Sequence, residues 1–194
     1  MRHLRPSDYR RMPWKDGGGT TTELAIAPAG ATLAEPFLWR VSSARVEASG
    51  PFSAFPGRTR TLALLEGAGL ILDLEGEGRR WLKPSRPPLV FPGEVAAQAT
   101  LIQGPCVDFG LIHDPTRVSG HLEDRWLEST PWSLVPAPTT LLYAPLGGVH
   151  VAPHAVTLGP EEALLLEGES EGLQVTAPEG RARVLVVRLT PLHP

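Results

Sequence analysis

Leu64-Leu65-Glu66-Gly67-Ala68-Gly69-Leu70-Ile71-Leu72 is the stretch that decides the fold class: two short apolar runs meet across a Glu-Gly turn. A glycine at such a turn supplies positive φ, and apolar residues on both sides read as strands with a buried face. About a hundred residues later Leu165-Leu166-Glu167-Gly168-Glu169-Ser170-Glu171-Gly172-Leu173-Gln174-Val175 repeats the pattern. Read as hairpins, the two stretches either share turn chemistry by chance or predict a duplicated antiparallel unit and mark where its halves correspond; the second is the expectation. Between them Leu89-Val90-Phe91-Pro92-Gly93-Glu94 supplies a further turn, at Pro92-Gly93.

Outward from these turns, 20 glycines and 21 prolines punctuate apolar runs of four to eight residues, the pattern of an all-β protein. Strands are predicted over 20–27, 38–46, 59–65, 70–74, 98–102, 107–113, 139–144, 163–166, 173–176 and 183–189. The expected architecture is a cupin-type double-stranded β-helix in bicupin form, with an N-terminal barrel over residues 1–120 and a smaller C-terminal one over 121–194.

Composition excludes several functions. With 18 basic and 21 acidic residues, net charge −3, the chain lacks the cationic footprint that nucleic acid requires. No apolar run approaches a membrane span, and neither export through a signal segment nor membrane insertion is expected. One cysteine, Cys106, permits no internal disulfide, so a cytoplasmic location is expected. Asparagine is absent, and only Lys15 and Lys83 are lysines. That fits either a thermophile or a GC-rich genome.

Several blocks carry a resemblance. They are Met12-Pro13-Trp14-Lys15-Asp16-Gly17-Gly18-Gly19-Thr20, Trp39-Arg40-Val41-Ser42, Gly50-Pro51-Phe52-Ser53-Ala54-Phe55-Pro56-Gly57-Arg58-Thr59-Arg60, Leu65-Glu66-Gly67, Phe91-Pro92-Gly93 and Gly104-Pro105-Cys106-Val107-Asp108-Phe109. In order and spacing they resemble the HutD/Ves family over about the first 115 residues. The resemblance implies a bicupin fold, a homodimer and no established enzymatic activity. For members that sit with histidine-degradation genes it implies binding of a pathway intermediate such as formylglutamate. Two positions depart from the family pattern, which has Asn where Asp16 and Gly110 stand.

Three constellations could hold a ligand. Around Gly17, Gly18 and Gly19, backbone N–H groups and the Lys15 ammonium could grip a carboxylate with Trp14 as a wall; the alternative is a tight loop with Lys15 in solvent. Arg40 lies within a strand between Trp39 and Val41. Facing inward it would have to pair with Glu23, Asp108 or a ligand carboxylate. The resemblance raises Arg40 and Arg60 to ligand contacts, with Phe55 as a second wall. Asp108, inside an apolar strand, needs a partner too, and is read either as the ion-pair partner of Arg60 or as a pocket acid. His113 is read as structural, and Cys106 as an inert core thiol.

No metal is expected in the first barrel, because neither histidine nor glutamate lies between Ser53 and Leu65. In the second half, His150, His154 and Glu161 form a weak candidate set, interrupted by Pro153. The expected function is metal-independent, cofactor-free binding of a small carboxylate. Its rivals are a cofactor-free isomerase or hydrolase using Asp108, Glu23 or His113, and a stress-related protein with no ligand.

Overall fold

The computed structural model describes residues 1–192. The strands, in chain order, are β1 (Arg2–Leu4), β2 (Arg10–Pro13), β3 (Gly19–Ala27), β4 (Trp39–Val46), β5 (Gly50–Phe52), β6 (Thr59–Glu66), β7 (Leu70–Leu74), β8 (Gly78–Leu82), β9 (Leu89–Pro92) and β10 (Ala97–Leu101). They continue as β11 (Cys106–His113), β12 (Val118–Leu127), β13 (Trp132–Leu134), β14 (Thr139–Ala144), β15 (Val149–Ala152), β16 (Val156–Leu158), β17 (Glu162–Glu167), β18 (Leu173–Thr176) and β19 (Ala182–Pro191). One 3-10 turn, Pro6–Asp8, is the only helical element among the described residues. The protein is all-β.

Two compact units divide the chain: Tyr9–Val118, and Met1–Asp8 with the chain from Ser119 onward. The first eight residues, expected in the N-terminal barrel, sit in the other unit because β1 pairs with β17, Arg2 opposite Leu165. In the Tyr9–Val118 unit a six-stranded sheet, β2-β3-β4-β11-β6-β9, is matched by a four-stranded one, β5-β10-β7-β8. Leu62, Leu64, Leu70, Leu72, Phe91 and Cys106 belong to its buried core. In the other unit the sheets are β1-β17-β14-β19-β12 and β13-β18-β15-β16, and Leu142, Leu164, Leu166, Leu173, Val184 and Val186 help to fill its core.

The pairing schemes of the units are the same. The series β4-β11-β6-β9 and β5-β10-β7-β8 is repeated as β12-β19-β14-β17 and β13-β18-β15-β16. This corrects the sequence reading of the two Leu-Glu-Gly stretches. Neither is a hairpin, because β6 and β7 lie in different sheets, as do β17 and β18. Nor do they correspond: β6–β7 answers to β14–β15, while β17–β18 answers to β9–β10, so Glu167-Gly168 stands where Pro92-Gly93 stands in the other unit. The likeness arises because both places make the same demand. A chain leaving one sheet for the other needs apolar residues on either side of a sharp turn, and Gly67 and Gly168 provide φ of +90° and +72°. Gly67 has a further constraint, since a Cβ there would lie 2.7 Å from the Pro105 carbonyl oxygen.

Candidate functional site

β11 is the central strand on which the site is built. It pairs with β4 on one side and β6 on the other, so each β11 residue has a neighbour in both. Ile112 lies between Arg40 and Arg60, Gly110 between Ser42 and Leu62, and Asp108 between Ala44 and Leu64. By the two-residue period these nine residues share one face. β3 extends all three rows, with Thr21 opposite Ala44. A bulge between Glu23 and Ala25 shifts its register, so that Glu23 lies opposite Ser42 and Ile26 opposite Arg40. The extra residue lets Glu23 and Ile26, three apart, both face inward.

A cavity of about 510 Å³ opens over this face. Arg40, Ser42, Ala44, Arg60, Leu62, Asp108, Gly110, Ile112 and Thr21 line its floor, while Met12, Pro13, Trp14, Lys15, Asp16, Leu33, Pro51, Phe52, Ser53 and Phe55 form the walls and rim. Ala31, Phe37, Ile26 and Ile112 pack together with Phe55 beside it.

Both arginines on the floor are buried, at 4% and 8% exposure. Arg40 Nε donates to Glu23 Oε2 at 2.7 Å, one of the partners foreseen for it, and its Nη2 has no hydrogen-bond partner. Arg60 is held differently. Its Nη1 donates to the Ser53 carbonyl at 3.0 Å, and its guanidinium carbon lies 5.2–5.4 Å from the ring centres of Phe52, Phe55 and Phe91. Its Nε is unpartnered. Burial lowers Arg60 to about 10, against the opposing pull of Asp108 and with Arg40 adding to the fall. A guanidinium at that value still carries its charge at neutral pH.

Asp108 is not the ion-pair partner of Arg60. No arginine, lysine or histidine among the described residues comes within 4 Å of its carboxylate, and Asp108 lines the cavity. The register explains why: Asp108 lies four positions along β11 from the Arg40–Ile112–Arg60 row. Burial raises its carboxyl to about 7, with Arg60 pulling the other way. On the same strand the Cys106 thiol is pushed up to about 12 by burial and then by Asp108, which makes it a core thiol rather than a nucleophile.

The glycine-rich loop has a structural role. Trp14 N–H donates to the Gly19 carbonyl, Gly17 N–H to the Trp14 carbonyl, and Gly18 N–H to Asp16 Oδ1, closing the turn between β2 and β3. A Cβ on Gly19 would lie 2.4 Å from the Arg45 carbonyl oxygen and 3.1 Å from the Trp14 ring. Close backbone approach is thus required here, but by the protein's own chain. Gly17, Gly18 and Gly19 do not line the cavity, whereas Trp14, Lys15 and Asp16 do. Trp14 is fixed by its Nε1–H bond to Thr21 Oγ1 at 2.8 Å and by an edge contact with Phe52.

Sequence reasoning puts Ser42 on the face of Arg40 by the two-residue period without naming it as a site residue, and passes over Ser53, Phe52 and Leu33. The Ser53 contact depends on a loop carbonyl, which no side-chain pattern marks. His113 is buried on the opposite face of β11 and outside the cavity, where burial lowers its pKa. His150, His154 and Glu161 do not converge. His150 Nδ1 lies 3.0 Å from Thr157 Oγ1, and His154 pairs with Glu169 at 2.8 Å. No cluster of three His, Cys, Asp or Glu side chains suited to a metal occurs among the described residues. No helix is long and apolar enough to cross a membrane.

Comparison with known proteins agrees with this fold. A bacterial pirin from Escherichia coli, solved with nickel(II), aligns over all of this chain and 99% of its own with a TM-score of 0.68 at 11% identity. That likeness is one of cupin-like fold alone. HutD from Pseudomonas fluorescens SBW25 aligns over 99% of both chains with a TM-score of 0.82 and 33% identity. A Pseudomonas putida protein described as an uncharacterized 21.2 kDa protein in the hutC 3' region is 38% identical over 182 residues, 89% of this chain and 90% of its own. The HutD family profile matches residues 6–185, nearly the whole chain, and the protein therefore belongs to the HutD family.

Proposed function

We propose that this protein binds a small carboxylate in the cavity of the Tyr9–Val118 unit and serves histidine utilisation as a metal-independent binding protein. The observation that carries the reading is the pair of open valences on the floor. Arg40 Nη2 and Arg60 Nε are buried donors with no partner, on two arginines that flank Ile112 from opposite sides. An unsatisfied buried donor costs free energy, more so on a charged group. A carboxylate between the two would satisfy both, with Lys15 at the rim adding attraction. The hut association rests on family membership and on the hutC neighbourhood of the Pseudomonas putida relative. A duplicated cupin architecture and a homodimer, both implied by the family, belong to the same proposal; sedimentation tests the dimer.

Calorimetric titration of glutarate and N-formylglutamate into the wild type and into Arg60→Met tests the binding. The expected result is saturable binding to the wild type, weakened at least about thirtyfold in the variant, the loss of a buried charge-assisted contact worth about 2 kcal/mol or more. Equal affinity for both proteins would refute the site.

A second reading, a cofactor-free enzyme, draws on one observation. Asp108 is a cavity-lining acid lifted to about 7, the range suited to moving protons at neutral pH. Mass spectrometry of these acids after incubation with the protein separates turnover from retention.

A further inference from the structure

Asp108 is the one carboxyl on the cavity floor that no hydrogen-bond donor of the described residues satisfies. It faces the same enclosed space as Arg60 and Arg40. The cationic row, Arg40–Ile112–Arg60, and the acidic row, Ala44–Asp108–Leu64, are four β11 residues apart, roughly 13 Å of strand. Between them lies Gly110, which presents no side chain, so one molecule can touch both rows.

The charged and titratable groups around Asp108 are few. They are Arg60 from β6, Arg40 from β4 with Glu23 of β3 bound to it, Lys15 and Asp16 from the β2–β3 loop, and Cys106 on its own strand. Of these, Arg60 is the one that favours the ionised carboxyl, and it does so through space rather than by contact. An anion seated on Arg60 neutralises that charge and adds a like charge near Asp108. Both changes disfavour the carboxylate form.

We propose that Asp108 is a proton-linked specificity residue: the cavity takes up its carboxylate ligand together with one solvent proton, held on Asp108, which then donates a hydrogen bond to a second oxygen of the same molecule. The inference rests on the carboxylate-binding reading given above. The ligand class it selects is an acid with a hydrogen-bond-accepting oxygen at its far end. A molecule with an ammonium there would leave Asp108 ionised and bind without a proton. The near-neutral pKa of the empty site puts the exchange within the physiological range.

Glutarate, an acid with a second carboxylate, is the probe. Its binding is measured calorimetrically at pH 6.5 and 8.5, each in two buffers of different ionisation enthalpy, for the wild type and Asp108→Asn. Linkage to a group at about 7 gives uptake of about 0.2 proton per glutarate at pH 6.5, close to one at pH 8.5, and roughly twentyfold weaker binding at the higher pH. In Asp108→Asn, where the side-chain amide is neutral at every pH, the uptake vanishes and the two affinities agree within about threefold. Binding to the wild type without proton uptake overturns the role of Asp108 while leaving the carboxylate site intact. Absence of binding at both pH values overturns the carboxylate reading, and the inference falls with it. The wild-type comparison needs no variant, so a folding defect in Asp108→Asn does not decide the outcome.

Discussion

Arg40 and Glu23 form a buried ion pair, Nε to Oε2 at 2.7 Å, with side chains only 5% and 9% exposed. Two charges so far from water are retained at a desolvation cost, and removing one leaves the other uncompensated. Glu23→Gln is therefore expected to lower stability by about 3–5 kcal/mol. Because Arg40 is then short of an anion, saturating glutarate should raise the melting temperature of this variant more than that of the wild type. A thermal melt with and without glutarate checks both.

For Asp108 the sign of the pH effect follows from the raised carboxyl. Its value is about 7 in the folded chain against 3.8 for the ordinary group, so the folded state holds the proton that the unfolded state releases. Its contribution to stability is full below about 4, is lost as pH rises through about 7, and is flat above. Asp108→Asn removes that loss. It should exceed the wild type in stability at pH 8 by about 2–4 kcal/mol, with little difference at pH 4, as read by urea unfolding at both values.

Gly19 and Gly17 separate two uses of glycine within one loop. Gly19→Ala drives a Cβ against the Arg45 carbonyl oxygen at 2.4 Å and is expected to cost about 1–3 kcal/mol. Gly17→Ala meets no atom within 4 Å but must adopt a φ of +72°, at about 1 kcal/mol. A Cβ on Gly17 touches no cavity residue, so glutarate affinity of Gly17→Ala should stay within about twofold, whereas Gly19→Ala also presses on the Trp14 wall and should weaken binding. Denaturant midpoints and titrations give the two numbers.

Much of this was legible in the chain. The ten strands predicted from apolar runs correspond to strands of the structure, because continuous runs such as Leu62-Ala63-Leu64-Leu65 and Val184-Leu185-Val186-Val187 have few other ways to be buried. β12 was not, since Ser119, His121, Glu123 and Asp124 break its apolar pattern and much of it remains open to solvent. The floor of the site was readable from Arg40 and Arg60 with period two. The role of the triple glycine was not, because sequence shows that close approach is needed without showing what approaches. That Asp108 stands apart from Arg60 was equally hidden. Strand register decides it: Asp108 aligns with Ala44 and Leu64, whereas both arginines align with Ile112, and no side-chain pattern marks that alignment.

Gly110, one of the two positions at which the resemblance leads one to expect Asn, leaves room on the cavity floor. A Cβ there would sit 3.1 Å from Leu62 Cδ2, the mobile end of a side chain, and the backbone needs no positive φ. Gly110→Asn should therefore fold, at a cost of about 1–3 kcal/mol. Its amide would stand between the arginine row and Asp108, and glutarate should bind at least about tenfold more weakly than to the wild type, as calorimetry would show.

The crystal structure of the protein with glutarate tests the central claim most directly. The account predicts a carboxylate between Arg40 Nη2 and Arg60 Nε, within hydrogen-bond distance of both, and the rest of the molecule running over Gly110 toward Asp108. Glutarate bound elsewhere on the chain, with the floor of this cavity empty at saturating concentration, would contradict it.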